Sequence, residues 1–404
     1  MNTYAAHPDV PALARLQQRA LIVGLVGLAA GVLGAFLNLD QFFRSWLIGF
    51  LFVLGLSLGC LALLMLQHLS GGQWGLVSRR IFEAGSRTLP AVALLFIPIL
   101  FGMRPLFLWA RSEVVQTDRI LQQKAPYLNV PFFTMRAVVY FAFWFLCMFL
   151  LTKWSAAQDR GEGVTPADSV RFRTVSAPGL LFFVLTVSLA SVDWIMSLDP
   201  HWYSTIFGLL TVVSQGLSAL ALTISVLALI AASGTLSGTL SARHFHDLGK
   251  LMLAFVMLWA YLAFSQFLII WSGNLPEEIP WYIERIRGGW GVIALLLVIG
   301  HFALPFALLL SRDLKRHGNL LARVAIFVIA MRLVDLIWLV APTFSHGEGE
   351  AHSGFPVPVH WMDVVLPIGL AGLWLFLFAR LLRSRALLPF NDPYFKEAFA
   401  HESH

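Results

Sequence analysis

Long apolar runs alternate with short polar segments along almost the whole chain. Each run is about 20 residues long, which is the length that a helix needs to cross the hydrocarbon core of a bilayer. The pattern therefore predicts ten membrane-spanning helices, numbered in chain order. The predicted spans are 20–38, 46–67, 89–109, 132–152, 178–198, 202–231, 248–271, 288–311, 321–341 and 361–382.

The composition agrees with this pattern. The chain is 58% hydrophobic and only 12% charged, whereas soluble domains carry about 25% charged residues. The predicted fold class is an all-α polytopic membrane protein. We expect residues 1–19 to form a polar N-terminal segment, 20–382 the ten-helix transmembrane domain, and 383–404 a polar C-terminal tail. The first segment lacks a small-residue cleavage motif, so it is not interpreted as a cleaved signal peptide.

The distribution of basic residues predicts the orientation. An even number of spans places both termini on one side. The termini and the even-numbered loops hold 19 of the 28 Lys and Arg residues, and the odd-numbered loops hold six. Cytoplasmic loops carry the excess of Lys and Arg, so both termini are predicted to be cytoplasmic. The net charge of +6 fits a basic fringe beside anionic lipid and requires no nucleic acid.

Cysteine and histidine placement argues against a redox cofactor in this chain. The chain has two cysteines, too few for a disulfide framework, a four-cysteine iron–sulfur site or a CxxCH haem attachment. A bis-histidine haem needs two deep histidines at one height. His301 is deep, but His68, His201 and His360 are predicted at span edges. Any electrons must then be carried by other subunits.

The stretch SVDWIMSLDPHWYSTIFG, residues 191–208, separates the fifth and sixth spans. Asp is a preferred N-cap and Pro is favoured at the first helical position, so Asp199 and Pro200 are predicted to cap span 6 in a tight extracytoplasmic hairpin. Asp193 lies one to two turns deeper among apolar residues. A carboxylate at the bilayer centre costs about 2.5–3.5 kcal/mol, so Asp193 needs a partner or a cavity.

Several further polar side chains are predicted at the height of Asp193, in the outer half of the membrane. Arg104 and Arg136 are candidate partners for Asp193, and Arg332 and Asp335 share one helix face. These groups form either structural ion pairs or a polar site that handles a quinol headgroup, protons, or both. An outer half-channel is favoured over a full path because no dense acidic path is visible in the inner half. The remaining candidates are His301, Tyr261 and Gln266.

Small residues recur at helical spacing in the first two spans. Gly27 and Gly31 in span 1, and Gly55 and Gly59 in span 2, are pairs four residues apart. Such pairs let two helices approach closely in a membrane. They are interpreted as packing sites.

Four segments resemble the ActF family, which comprises membrane subunits of bacterial alternative complex III and is related to the NrfD/PsrC-type subunits. The resemblance implies two four-helix bundles, spans 2–5 and 6–9, flanked by helices 1 and 10. It implies a bacterial cytoplasmic (inner) membrane and no haem or iron–sulfur cluster in this subunit. The segments are RPLFLW (104–109), YLNVPFFTMRAVVYFAFW (127–144), SVDWIMSLDPHWYSTIFG (191–208) and HDLGKLMLAFVMLWAYLAFSQFLIIWSGNLPEE (246–278).

The resemblance also implies a function and partners. The chain would be a cofactor-free subunit of a quinol:electron-acceptor oxidoreductase, and would contribute to proton conduction, to quinol-site architecture, or to both. Its implied partners are a sister NrfD-like subunit, an iron–sulfur subunit, haem c subunits and small membrane subunits.

Two other functions stay open. A secondary transporter would show broken spans near the midplane, and Pro98 and Pro305 do interrupt spans 3 and 8. A purely structural scaffold would need only that the buried charges be paired. No nucleophile elbow or HExxH motif supports a membrane-embedded enzyme.

Overall fold

Ten helices of membrane-spanning length build the protein. The computed structural model describes residues 10–234, 236, 240–347 and 359–395. Within these residues every regular element is helical, so the predicted fold class and number of spans are confirmed. The spans, numbered 1–10, are Pro11–Leu37, Leu39–Ser70, Gln73–Phe101, Val130–Asp159, Pro166–Leu198, Phe207–Ala232, Ala242–Gly273, Gly288–Leu310, Gly318–Phe344 and Met362–Arg383.

Short helices and local breaks complete the chain. Span 3 is made of three helical pieces, Gln73–Ser86, Leu89–Leu94 and Ile97–Phe101. Span 8 contains a π-helical turn at Leu297–Ala303, and span 9 continues into a 3-10 segment, Ala341–Gly347. The other short helices are Met103–Leu106, Leu108–Ala110, Ser112–Thr117, Arg119–Lys124, Ile279–Ile286 and Arg312–Arg316.

Several helix boundaries differ from the prediction by many residues. Span 1 begins at Pro11 rather than 20, and span 3 begins at Gln73 rather than 89. Spans 4 and 5 extend into the predicted loop 153–177, which shrinks to residues 160–165. Hydropathy marks only the apolar part of a helix, whereas a helix end is set by its cap. At span 5 that cap is a Thr165–Asp168 capping box.

The ten spans pack as two groups of four plus a flanking pair. Span 2 contacts spans 3 and 5, and span 4 lies against spans 3 and 5; span 6 contacts spans 7 and 9, and span 8 lies against both of these. These contacts match the two expected bundles. Spans 2 and 6 join the bundles, with 94% and 78% of their most apolar stretches buried, against 28% for span 1. Spans 1 and 10 pair beside span 2.

Three of the four predicted glycines, Gly27, Gly31 and Gly59, lie where helices approach most closely, whereas a Cβ atom on Gly55 would make only an ordinary contact. A Cβ atom on Gly27 would lie 2.5 Å from the Gly369 Cα atom of span 10. A Cβ atom on Gly59 would lie 2.1 Å from the Gln215 carbonyl oxygen of span 6. Both distances are too short for any side chain, so glycine is required for the contacts of span 1 with span 10 and of span 2 with span 6.

Candidate functional site

Asp193 forms a saturated ion pair with Arg136. We use "far end" for the end of the molecule opposite the two chain termini, and Asp193 lies near it with 0% of its surface exposed. Arg136 donates two parallel hydrogen bonds to this carboxylate, from Nε at 2.9 Å and from Nη2 at 2.8 Å. The Tyr140 hydroxyl donates a third at 2.9 Å. Arg136 Nη1 donates to the Tyr127 carbonyl oxygen at 2.9 Å. We call the ion pair of Arg136 and Asp193, together with Tyr127 and Tyr140 that are hydrogen-bonded to it, the closed pair.

Helical spacing and aromatic rings hold the closed pair in place. Arg136 and Tyr140 are four residues apart on span 4 and so face Asp193 together. The Arg136 guanidinium lies 3.8 Å from the ring centroid of Tyr127 and 4.4 Å from that of Phe132, a cation–π arrangement that shields the charge. Burial and the negative charge of Asp193 raise the pKa of Tyr127, which precedes the span, to about 12.

Arg104 does not take part in this pair. The sequence left Arg104 and Arg136 open as partners of Asp193, and the structure decides for Arg136. Arg104 pairs instead with Glu113 at 3.0 Å, and these side chains are 71% and 59% exposed. Span 3 ends at Phe101, so Arg104 follows the span in a short surface turn. Tyr261 also takes no part in the buried pair, since 66% of its surface is exposed.

The predicted pair of Arg332 and Asp335 is confirmed on span 9. The two residues are three positions apart, both are buried, and Arg332 Nη1 donates to Asp335 Oδ2. Among the described residues, Arg332 is the one hydrogen-bond donor to this carboxylate. Asp193, by comparison, has three donated bonds from two residues. We call Arg332 and Asp335 the open pair.

His301 lies beside the open pair with both ring nitrogens buried. It is 0% exposed, and neither nitrogen has a hydrogen-bond partner in the described part of the chain. The Met331 carbonyl of span 9 is nearby but does not meet hydrogen-bond geometry. The ring packs on Trp259 of span 7 with centroids 4.3 Å apart. A buried imidazole of this kind can take up or release a proton without first breaking a hydrogen bond.

The widened turn around His301 has a local cause. Pro305 has no N–H group, so it cannot make the helical bond to the carbonyl four residues earlier, which is that of His301. The π-helical turn Leu297–Ala303 ends just before this proline. Such bulges occur often at functional sites. Pro305 therefore accounts for the widened turn that contains His301.

A small cavity, lined mainly by apolar side chains, lies where the two bundles meet. Its volume is about 20 Å³, and Arg332 lines it together with Ser191, Thr211 and Gln215. This is room for about one water molecule. The Ser191 and Thr211 hydroxyls donate to carbonyls of their own helices, which leaves their lone pairs as acceptors. The Gln215 Oε1 atom is buried without a partner among the described residues. The open pair therefore faces a site with several acceptors.

Gln266 is occupied by structural hydrogen bonds. Its Oε1 atom accepts from the Ser204 hydroxyl at 3.0 Å, and its amide donates to the Tyr282 hydroxyl at 3.1 Å. Burial raises the pKa of Tyr282, which lies between spans 7 and 8, to about 12. Gln266 therefore fastens two far-end loops to span 7, and the geometry separates it from the open pair.

The predicted cap of span 6 at Asp199 and Pro200 is wrong. Span 6 begins at Phe207, and no side chain caps it. Residues 199–206 instead run across the far end, where Lys124 Nζ donates to the Pro200 carbonyl at 2.6 Å. Trp202 stacks on Trp281 at 4.2 Å between ring centroids. Burial of this indole pair outweighs the local preference for a cap.

A buried ionic cluster lies at the end of the molecule that holds the chain termini, and the sequence did not predict it. Glu83 accepts hydrogen bonds from Arg79 at 2.9 Å, from Arg80 at 2.8 Å and from Ser155 at 2.6 Å. Arg79 also pairs with Asp392 at 2.6 Å, and Arg80 pairs with Asp159 of span 4. We call these residues the terminal cluster. Buried charges therefore occur toward both ends of the described structure, and not only in the far half. The spacing of Arg79, Arg80 and Glu83 on one helix face was the available signal.

Buried hydroxyl groups also lie between the terminal cluster and the contact of the two bundles. Ser57 and Thr88 are hydrogen-bonded at 2.7 Å, and the Trp374 indole donates to both, at 2.8 and 2.9 Å. Thr88 occupies the first break of span 3. Ser57 is two residues from Gly59, which touches Gln215. Buried polar groups thus occur in both halves of the molecule.

Comparison of the chain with protein-family models finds no matching family, and comparison with curated proteins finds no match. The functional argument therefore rests on the residues and their geometry. The resemblance to the ActF family stays a prediction from the sequence.

Proposed function

We propose that this protein is a cofactor-free membrane subunit of a quinol-oxidising respiratory complex, and that it contributes to proton transfer near the far end. The open pair and His301 carry this proposal, because they combine a partly bonded carboxylate, an unbonded imidazole and a water-sized cavity. The sequence resemblance to the ActF family supports the assignment to a quinol:electron-acceptor oxidoreductase.

Quinol oxidation sets the chemical requirement. Each quinol that becomes a quinone releases two electrons and two protons. In this proposal the electrons leave through partner subunits that hold iron–sulfur clusters and haem c, and a sister NrfD-like subunit shares the membrane domain. The protons need titratable groups that water can reach inside the protein. His301 and Asp335 are buried titratable groups beside Arg332, which lines the water-sized cavity and compensates the charge of the deprotonated carboxylate.

Other buried charges in the same chain have a purely structural role. Asp193 and Glu83 are each held by three hydrogen bonds from side chains. A carboxylate held in this way has its acceptor positions occupied, and its pair fixes helices rather than moving protons. We assign the closed pair and the terminal cluster to architecture. Arg104 and Tyr261, both exposed, have no proton-transfer role in this proposal.

The proposed location is a bacterial cytoplasmic membrane with both termini inside. The basic residues of the termini and the even-numbered loops support this orientation. Fluorescent-protein and alkaline-phosphatase fusions at the C-terminus test it. A bright fluorescent fusion and an inactive phosphatase are expected, and the reverse pattern contradicts the orientation.

Two measurements test the function. The tagged chain, purified in mild detergent, is expected to bring with it subunits that show haem c absorbance. In vesicles containing the complex, Asp335→Asn is expected to lower the proton-to-electron ratio of the complex that assembles. Asp247→Asn is the matched control, because Asp247 pairs with Lys250 on an exposed surface. A normal ratio in Asp335→Asn rules out the proton role, and purification without any haem subunit rules out the complex.

A further inference from the structure

A cavity of about 380 Å³ opens at the terminal end of the molecule, among the ends of spans 2, 3 and 5 and the C-terminal tail. It is separate from the open pair and does not depend on the proposed function. Its volume lies in the range of small-molecule sites. Its lining residues are Gln67, His68, Gly71, Gly72, Gln73, Leu76, Ser169, Phe172, Arg173, Asp392 and Tyr394.

Three of the polar side chains in this cavity are buried and unsatisfied. His68 Nε2, Ser169 Oγ and Gln67 Oε1 have no hydrogen-bond partner among the described residues. The three residues are 9%, 9% and 5% exposed. Buried polar atoms are almost always bonded, so three in one cavity require an explanation. The His68 ring is fixed by stacking on Phe172 at 4.6 Å between centroids, so its nitrogen is held in position.

The charge balance of the cavity favours an anion. Both oxygens of Asp392 are used, because Arg79 donates to Oδ2 at 2.6 Å and the Tyr394 backbone N–H donates to Oδ1 at 2.9 Å. Arg173 also lines the cavity and has no carboxylate partner in the described ranges. It lies one helical turn from Ser169, so both reach the same space. The lining charges of Arg173 and Asp392 sum to zero, but Asp392 is bonded to Arg79, so the charge left to a ligand is the positive charge of Arg173.

The helix Gln73–Ser86 adds a dipole to this charge. Its N-terminus opens on the cavity, and its N-cap, Gly72, provides no side-chain cap. Gly71 and Gly72 have φ values of +67° and +92°, a conformation that glycine adopts without strain. A Cβ atom on Gly71 would meet nothing within 4 Å. The glycines are therefore needed for the turn rather than for packing, and the turn leaves the helix N-terminus accessible. Helix N-termini attract phosphate groups.

We propose that this cavity binds the phosphate group of a phospholipid headgroup. Arg173, Ser169, His68 and the helix N-terminus supply donors for the phosphate oxygens. Gln67 Oε1 is an acceptor, which suits a headgroup that carries a hydroxyl or ammonium donor, such as glycerol or ethanolamine. The cavity lies at the ends of spans, where headgroups are found. Free inorganic phosphate shares the phosphate chemistry and is separated by the test below.

The test measures phospholipid binding to the full chain in detergent. The probe is phosphatidylglycerol, followed by native mass spectrometry, with phosphatidylcholine as the lipid that lacks a headgroup donor. Arg173→Gln removes the charge at the cavity rim, and we expect affinity for phosphatidylglycerol to fall about tenfold, as for loss of a hydrogen bond to a charged group. His68→Phe keeps the ring stack and removes the nitrogen, and we expect a smaller fall.

Controls make each outcome decisive. Arg380→Gln removes an exposed basic residue from the last turn of span 10, and binding is expected to stay within about twofold. The lipid proposal holds if Arg173→Gln and His68→Phe weaken phosphatidylglycerol and Arg380→Gln does not. Inorganic phosphate that binds without lipid, depends on Arg173 and displaces phosphatidylglycerol identifies free phosphate and overturns the lipid assignment. Unchanged binding in both cavity variants overturns the site.

Discussion

The two bundles each bury one carboxylate and one arginine toward the far end, yet the pairs differ in construction. In the first bundle, Arg136 and Asp193 come from different spans and form two parallel hydrogen bonds, and Tyr140 adds a third. In the second, Arg332 and Asp335 come from one span. The first pair therefore joins two helices, whereas the second leaves its carboxylate with a single donor.

This difference separates structural from titratable charge. A buried carboxylate is stabilised in its charged form by opposite charge and by hydrogen bonds. Asp193 has both in full. Asp335 has one bond, an unbonded His301 nearby and a cavity at Arg332. Burial and residue type are alike in the two pairs, so neither property alone identifies a proton site. The number of hydrogen bonds that each carboxylate accepts is what distinguishes the two pairs.

The largest expected effect follows from breaking the closed pair. Asp193→Asn leaves Arg136 buried without its counter-charge. Removing one partner of a buried ion pair costs about 3–5 kcal/mol. We expect the yield of folded, monodisperse protein to fall steeply, as measured by size-exclusion chromatography in detergent. Asp335→Asn is the matched comparison. It also removes the counter-charge of a buried arginine, but Arg332 lines a cavity with room for about one water molecule, so a smaller fall in yield is expected.

A double variant checks that charge imbalance is the cause. Replacing a buried ion pair by apolar residues of similar volume is often neutral. Arg136→Met with Asp193→Leu should therefore recover much of the yield that Asp193→Asn loses. If Asp193→Asn folds normally, the closed pair is not structural, and the comparison between the two pairs fails.

The second effect concerns His301. His301→Phe keeps a ring against Trp259 and removes two buried unsatisfied nitrogens, so folding should be unaffected. Groups that transfer protons typically contribute at least about a hundredfold to rate. We expect proton release coupled to quinol oxidation in vesicles to slow by about that factor.

Tyr140→Phe is the control for His301→Phe, since it removes a polar group from the closed pair. It is expected to leave proton release unchanged and to lower stability by about 1 kcal/mol, the usual contribution of one hydrogen bond. Equal slowing in both variants would show that the two pairs belong to one pathway.

Most of the fold followed from the sequence because hydropathy reports bilayer crossing directly. The ten spans and the glycine contacts of Gly27 and Gly59 were predictable on that basis. The helix ends were not, since Thr165 and Asp168 set the start of span 5 through a cap in a polar segment. Asp199 was wrongly predicted as a cap because the tertiary stack of Trp202 on Trp281 has no local signal.

The candidate site was less predictable than the fold. The sequence placed Arg332 and Asp335 together because both lie on one helix. It left the partner of Asp193 open, since a contact between spans 4 and 5 depends on helix rotation. The terminal cluster was missed because Glu83 lies in a polar stretch that resembles a loop. Whether the ring nitrogens of His301 have hydrogen-bond partners depends on all the helices packed around it, so the sequence alone does not predict it.

The third effect concerns the contact between the bundles. Gly59→Ala places a methyl group where the Gln215 carbonyl oxygen now lies, and backbone cannot rotate away as a side chain can. Overpacking of this kind costs about 1–3 kcal/mol. We expect a lower melting temperature and, because Gln215 and Arg332 line one cavity, impaired proton release as well.

Gly55→Ala is the control for Gly59→Ala. A Cβ atom there would lie 3.5 Å from Gln215 Cγ, which is an ordinary contact. It should be tolerated, with stability and proton release close to those of the unmodified protein. Similar losses in both variants would mean that the contact between spans 2 and 6 is not specific to Gly59.

The smallest effect comes from a partly exposed pair, Asp118 and His201, whose side chains are 24% and 42% exposed, and which provides a baseline for the two buried pairs. Asp118 accepts from the backbone N–H groups of Ile120 and Leu121 and contacts His201 Nε2 at 2.6 Å. Burial alone would raise the pKa of Asp118, but these donors hold it below its ordinary value. The charged carboxylate is therefore favoured by folding. Its contribution is present above the unfolded pKa of about 3.9 and is lost as the pH falls through the lower, folded value.

Asp118→Asn isolates this charge, because Asn also caps helices well and keeps the backbone bonds. At neutral pH we expect a loss of at most about 1 kcal/mol, as for other exposed pairs. Thermal unfolding of both proteins at a series of pH values measures the difference between them. That difference should shrink as the pH falls below about 4. A difference that is independent of pH would mean that the contact with His201 acts through shape alone. A loss as large as that of Asp193→Asn would remove the distinction between exposed and buried pairs.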